Sequence, residues 1–161
     1  MKRCLAWRGH PWLALPARVY LAAVFLLACW HKLAHPESFA VDIATYQILP
    51  LALVNPLAIA LPWVELAAGL LLLVGFRARA AALLVAGMML MFSVAIALAL
   101  SKGLDMSCGC FASQGAAEDP ISGLTVLPDL GWLLLAVYVF LCDHTPVGLD
   151  GWLARRREEK P

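Results

Sequence analysis

A chain of 161 residues that is 63% hydrophobic and only 14% charged cannot cover a globular surface with polar groups, because a soluble domain keeps roughly a quarter of its residues charged. Its mean hydropathy of +0.82 makes lipid the expected solvent. A formal charge of +1, with no basic patch interleaved with aromatics, gives no pull toward nucleic acid, and five scattered cysteines are too few for a disulfide scaffold.

Four apolar stretches follow in chain order, and each comes near the roughly 20 residues that a helix needs to cross the hydrocarbon core. The first covers 18–34, "RVYLAAVFLLACWHKLA", and begins at Arg18, whose long side chain is expected to snorkel to the interface. It starts late, is followed by "HKL" and lacks a small-x-small cleavage site, so it reads as a retained helix rather than a signal peptide. Residues 36–55 mix apolar and polar side chains between two prolines and suggest a segment lying in the interface. The second stretch covers 56–76, where Pro56 and Pro62 make a kinked or late-starting helix the expectation. The third covers 80–100 and carries small residues at helical spacing, Ala82, Ala86, Ser93 and Ala97, the pattern that lets membrane helices approach closely. The fourth covers 124–142. Bare backbone finds no hydrogen-bond partners in lipid, so these stretches must be helices. The fold class is all-α: one polytopic membrane domain over 1–161, built as a bundle of four transmembrane helices.

Charge sets the orientation. Lys2, Arg3, Arg8 and Arg18 precede the first stretch, Arg77 and Arg79 fill the turn between the second and third, and Arg155, Arg156, Arg157 and Lys160 follow the fourth. The other two connections hold Lys32 and Lys102 beside Glu37, Asp42, Asp105, Glu118 and Asp119. The positive-inside rule then places both termini in the cytoplasm. In a bacterial inner membrane, the 101–123 loop faces the periplasm, where disulfides form and persist. The tail "RRREEK" is a solvated end that fixes this topology, and Tyr20, Trp30, Trp63 and Trp152 are anchor-belt aromatics.

That loop carries Cys108-Gly109-Cys110. A disulfide across two residues is tight and needs an unusual backbone between them, which glycine permits. The strain makes such a bond easy to reduce, as suits an oxidant or relay. Paired zinc cysteines prefer two to four intervening residues and no second pair exists, but Cys29, His31 and His35 lie toward the same face, so a metal clip stays open beside the redox pair and beside cysteines without chemistry.

Glu65 falls well inside the second stretch, where a carboxylate costs roughly 2.5–3.5 kcal/mol on insertion scales. Lys32, near the outer end of the antiparallel first helix, is its natural partner. The two form either a clasp fixing helix register or part of a proton relay, with a quinone-contacting role as a further option for the acid. Asp129 opens the fourth helix, where the dipole favours an acid, or it orients a group near the cysteine pair. Cys29 is a buried apolar residue or, if it faces the loop, a resolving thiol. Cys4 and Cys142 fall on the reducing side.

These residues resemble the methylamine-utilisation MauE family, within the DoxX-like group of four-helix membrane proteins. The resemblance runs over about 18–142: "HKL" (31–33), Phe39, Tyr46 and Leu49-Pro50, "LPWVELAAGLLLLVG" (61–75), "CGCF" (108–111) and "LPDLGWLLL" (127–135). Ala112 departs from the glycine that often follows CGCF. The resemblance implies an integral inner-membrane thiol–disulfide protein that supports disulfide formation in a periplasmic client, such as the small subunit of methylamine dehydrogenase. The expected partners are that client or a thioredoxin-like protein, and the lipid bilayer. No cofactor follows from the residues themselves; a membrane quinone is the candidate electron acceptor. The competing expectation is a non-catalytic assembly subunit whose cysteines form a structural or metal clip.

Overall fold

The computed structural model describes residues 10–103, 126–143 and 148–158. Six helices lie along them in the order α1 (His10–Ala34), α2 (Pro36–Thr45), α3 (Leu51–Val74), α4 (Ala78–Ser101), α5 (Val126–Cys142) and α6 (Leu149–Glu158), and no strand occurs among the described residues. Helices α1, α3 and α4 are long and apolar enough to span a bilayer. The described part of α5, 17 residues, already reaches the lower end of the spanning range of about 17–25. The protein is an all-α polytopic membrane protein.

The four long helices close into a bundle in which α1 packs chiefly on α3 and α4 chiefly on α5. Contacts of α1 with α5 and of α3 with α4 complete the ring, and α2 lies against α3. The buried seam runs through Leu21, Phe25, Ala68, Leu72, Val85, Met89, Ala136 and Val139. Leu27, Trp30, Ile59, Leu83 and Leu134 point outward and stay exposed, the arrangement expected where lipid tails cover the outside. Close approach of α1 and α3 depends on Gly69, where an added Cβ would stand 3.0 Å from Leu26 Cγ.

Several boundaries differ from the sequence expectation. Helix α1 already includes His10, the first described residue, and runs through Pro16, while α3 starts at Leu51 and contains both Pro56 and Pro62. Neither proline ends α3, because a membrane helix packed on neighbours can absorb a missing N–H. The 36–55 segment folds in its first half into α2, with Pro36 in the first turn, where its missing N–H costs nothing. On α4, Ala82, Ala86 and Ser93 are buried as expected, but Ala97 is exposed and Ile96 and Ala99 take the inward positions.

The α3–α4 turn is fixed by Gly75 at φ 69°, whose N–H reaches the Leu71 and Leu72 carbonyls while that of Phe76 also reaches Leu71. This closes α3 with a left-handed cap that suits glycine. Gly148 packs against Gly75, and the Asp150 N–H donates to the Gly75 carbonyl at 3.1 Å. The Asp150 carboxylate accepts from the Ala78 N–H at 3.3 Å, so an acid from the start of α6 satisfies and charge-complements the N-terminus of α4.

Candidate functional site: buried charges at one end of the bundle

The C-terminus of α1, the N-termini of α3 and α5, the C-terminus of α4 and all of α2 share one end of the bundle, where the Lys102 ammonium donates to the Gln47 carbonyl at 3.1 Å. Here Lys32 Nζ lies 2.7 Å from Glu65 Oε1, with both side chains almost wholly buried. The same ammonium stands 4.9 Å from the Phe39 ring centroid and 5.3 Å from that of Phe92. The charge is thus held by one carboxylate and two aromatic faces, which compensates part of its desolvation.

Asp129, in the first turn of α5, is also buried. It shares with Lys32 and Glu65 the wall of a small cavity of about 20 Å³, which Phe92, Met89 and Trp132 also line. Among the described residues, Glu65 Oε2 and Asp129 Oδ2 have no hydrogen-bond partner. An acid in a first helical turn is ordinarily a dipole-favoured surface residue, and sequence alone does not say that this one turns inward to join the pair.

Cys29, one turn before Lys32 on α1, is buried, and its thiol donates to the Leu26 carbonyl at 3.2 Å. His31 and His35 approach each other with ring centroids 5.2 Å apart, and His35 Nδ1 is 3.8 Å from Glu37 Oε1 in an exposed pair. Among the described residues, no group of three or more His, Cys, Asp or Glu side chains is placed to hold a metal ion. Cys108 and Cys110 lie outside the described residues, as does Cys4.

A larger apolar cavity of about 590 Å³ lies between α2, α3 and α4 at this end. Phe39 and Phe92, the rings that face the Lys32 ammonium, form part of its wall, and Asp42 and Tyr46 are its polar members. Burial pushes the Tyr46 phenol well above its ordinary pKa, and the charges of Asp129 and Asp42 act in the same direction. Tyr46 therefore presents an intact O–H at any working pH.

The opposite end holds a pair that sequence reasoning missed. Arg18 does not snorkel: it is buried, and its Nη1 lies 3.1 Å from Asp143 Oδ2 just beyond α5. Snorkelling fails because Gly75 and Gly148 close the space around the guanidinium, an added Cβ at Gly75 falling 3.0 Å from Arg18 Nη2. A signal was present, since Arg18 opens the first apolar stretch and Asp143 directly follows the last.

Fold and site together define a four-helix membrane protein with a buried acid–base cluster at one end and a buried ion pair at the other. The methylamine utilisation protein MauE family model matches residues 10–142. Three proteins named methylamine utilization protein MauE are similar to this chain. That of Paracoccus denitrificans is 32% identical over 131 residues, covering 81% of this chain and 69% of the relative. That of Methylophilus methylotrophus is 37% identical over 103 residues, covering 63% and 54%, and that of Methylorubrum extorquens is 31% identical over 133 residues, covering 82% and 70%. The chain belongs to the MauE family. No solved structure matches it.

Proposed function

We propose that this protein is an inner-membrane thiol–disulfide maturation factor, supporting disulfide formation in a periplasmic client such as the methylamine dehydrogenase small subunit. The observation that carries the proposal is Cys108-Gly109-Cys110 in a chain of the MauE family. Both ends of the connection that bears the pair, at Gly103 and Val126, belong to the end of the bundle where Lys32, Glu65 and Asp129 are buried.

In the step proposed, a client thiolate attacks the Cys108–Cys110 disulfide and forms a mixed disulfide. The second client thiolate then displaces it, leaving the client oxidised and the pair as a dithiol. Two electrons move from client to pair in each cycle, and the two thiol protons of the client are replaced by two on the pair. A thioredoxin-like protein can stand between the pair and the final client in the same chemistry.

Regeneration needs a two-electron acceptor, for which a membrane quinone is proposed. The cavity between α2, α3 and α4 fits such a group, with apolar walls, the aromatic faces of Phe39 and Phe92, and an O–H donor in Tyr46. When bound, a quinone takes two electrons and two protons from the dithiol and becomes the quinol. The protein's own part is to exclude water and to hold the head group near Tyr46 and Asp42.

Cys108→Ser and Cys110→Ser each abolish client disulfides while leaving the protein at normal levels in the membrane, scored by alkylation-shift gels of client and pair. Loss of the protein itself, or of a bound metal, would instead identify the cysteines as a structural clip. The acceptor is tested separately with Gly87→Leu, which fills open space at the cavity wall. It slows reoxidation of the pair by a short-chain benzoquinone at least tenfold and leaves exchange with the client unchanged.

A further inference from the structure

We propose that Lys32, Glu65 and Asp129 form a buried site that binds one water molecule and holds one exchangeable proton inside the bundle. The first half rests on space and valence. A cavity must offer about 10–15 Å³ to accommodate a water, which then needs two to four polar partners; this one offers about 20 Å³. Its charged wall consists of the Lys32 ammonium and the two carboxyl groups, and each acid contributes an oxygen with no partner among the described residues, Glu65 Oε2 and Asp129 Oδ2. A water there donates one hydrogen toward each carboxyl oxygen and satisfies both orphans at once. Of the remaining lining, Val24, Phe25, Ala28, Met89 and Phe92 are apolar, and the indole N–H of Trp132 donates to the Tyr20 hydroxyl at 3.4 Å.

The second half rests on charge. Lys32 is the only buried cation at this end among the described residues, and it faces two buried carboxyl groups. The trio is neutral only when one carboxyl is protonated, because a buried group that lacks a counter-charge neutralises rather than stay ionised. Groups from every packed element point the same way. Helix α2 adds the buried acid Asp42 and is followed by the phenol of Tyr46, α1 adds the buried Cys29, whose thiol donates to the Leu26 carbonyl, and α4 carries no titratable residue after Arg79. The proton belongs to the pair of acids and moves between them through the water. This site stands independently of the thiol chemistry proposed above.

Infrared spectroscopy of the purified full chain in lipid nanodiscs tests it. The intact protein at neutral pH shows the carbonyl stretch of one buried protonated carboxylic acid, which shifts in D₂O, and a water O–H stretch that shifts in H₂¹⁸O. Glu65→Gln and Asp129→Asn each leave one cation with one carboxylate, so the acid band disappears in both. Lys32→Met removes the cation, so the band doubles, and Asp42→Asn leaves it as it was. The band is the same in a Cys108→Ser/Cys110→Ser variant, which separates this result from the fate of the thiol proposal. Absence of the acid band from the intact protein overturns the proposal without reference to any variant. Its survival in both Glu65→Gln and Asp129→Asn does the same, and absence of an H₂¹⁸O-sensitive water stretch overturns the water.

Discussion

Single residues in this protein are governed by the cost of charge without water. Arg18 and Asp143 hold each other at 3.1 Å with almost no solvent exposure, so removing one takes away the other's buried counter-charge. Asp143→Asn is expected to lower stability by about 3–5 kcal/mol, read as a fall in the thermal midpoint in micelles. The double change Arg18→Met with Asp143→Leu recovers most of that loss, because two apolar side chains of similar bulk leave nothing unpaired. Cys29 is the opposite case, a small apolar filler whose thiol is occupied by the Leu26 carbonyl. Disulfide exchange requires an accessible thiolate, so Cys29→Ala should cost only about 1 kcal/mol of packing and leave thiol exchange at Cys108 and Cys110 intact; arrest of that exchange as a mixed disulfide would make Cys29 the resolving thiol. Glu65 is legible in the sequence because a lone acid in an apolar run demands a partner, and Lys32 sits at the right depth on an antiparallel neighbour. Asp129 and Arg18 are not legible in the same way. A charge at a helix end has water as a plausible partner, and only packing by distant segments removes that water.

At the scale of elements, apolar runs of the right length reveal the four long helices, while their ends depend on contacts that composition does not encode. Proline in α3 argues for a break, yet the helix continues through both Pro56 and Pro62, because α1, α2 and α4 pack along it. The short α2 escapes a hydropathy reading since its ten residues carry only a partial apolar face, Phe39 and Ile43 with Asp42 between. The tight α3–α4 turn is where local conformation matters most. Gly75 adopts a left-handed φ of 69°, and a Cβ there would meet the Arg18 guanidinium at 3.0–3.1 Å and the Gly148 Cα at 3.1 Å. Gly75→Ala is therefore expected to destabilise the protein by about 1–3 kcal/mol through backbone strain alone. Gly87→Ala, in open space on α4, should instead be neutral or stabilising by roughly 0.5–1 kcal/mol. Denaturation of the two variants side by side in the same detergent separates a glycine required by its turn from one that is merely tolerated.

For the whole molecule, the ion pairs sharpen the charge asymmetry that orients the bundle. Arg18 and Lys32 are each neutralised by a buried acid, so neither counts as a free positive charge at its end. Setting them aside leaves, among the described residues, Arg77 and Arg79 at the α3–α4 turn, with Arg155, Arg156 and Arg157 following on α6, against Lys102 at the other end. Arg79 is further anchored, its Nε donating to the Phe140 carbonyl at 3.0 Å and its guanidinium lying 5.4 Å from the Phe140 ring. Basic residues in short connections resist translocation, so the orientation we expect keeps the end bearing the turn and α6 in the cytoplasm. In that expected orientation the end with Lys32, Glu65 and Asp129 faces the periplasm. A membrane-impermeant maleimide applied to reduced spheroplasts should accordingly modify Cys108 and Cys110 and spare Cys4 until the membrane is opened. The pair Arg77→Glu/Arg79→Glu should yield a fraction of molecules with the labelling reversed, since that change erases the asymmetry at the one turn too short to hold any other basic residue. Labelling of Cys4 alone in the unaltered protein would invert the bundle and place its thiol pair in a reducing compartment, where a disulfide donor has no standing supply of oxidant.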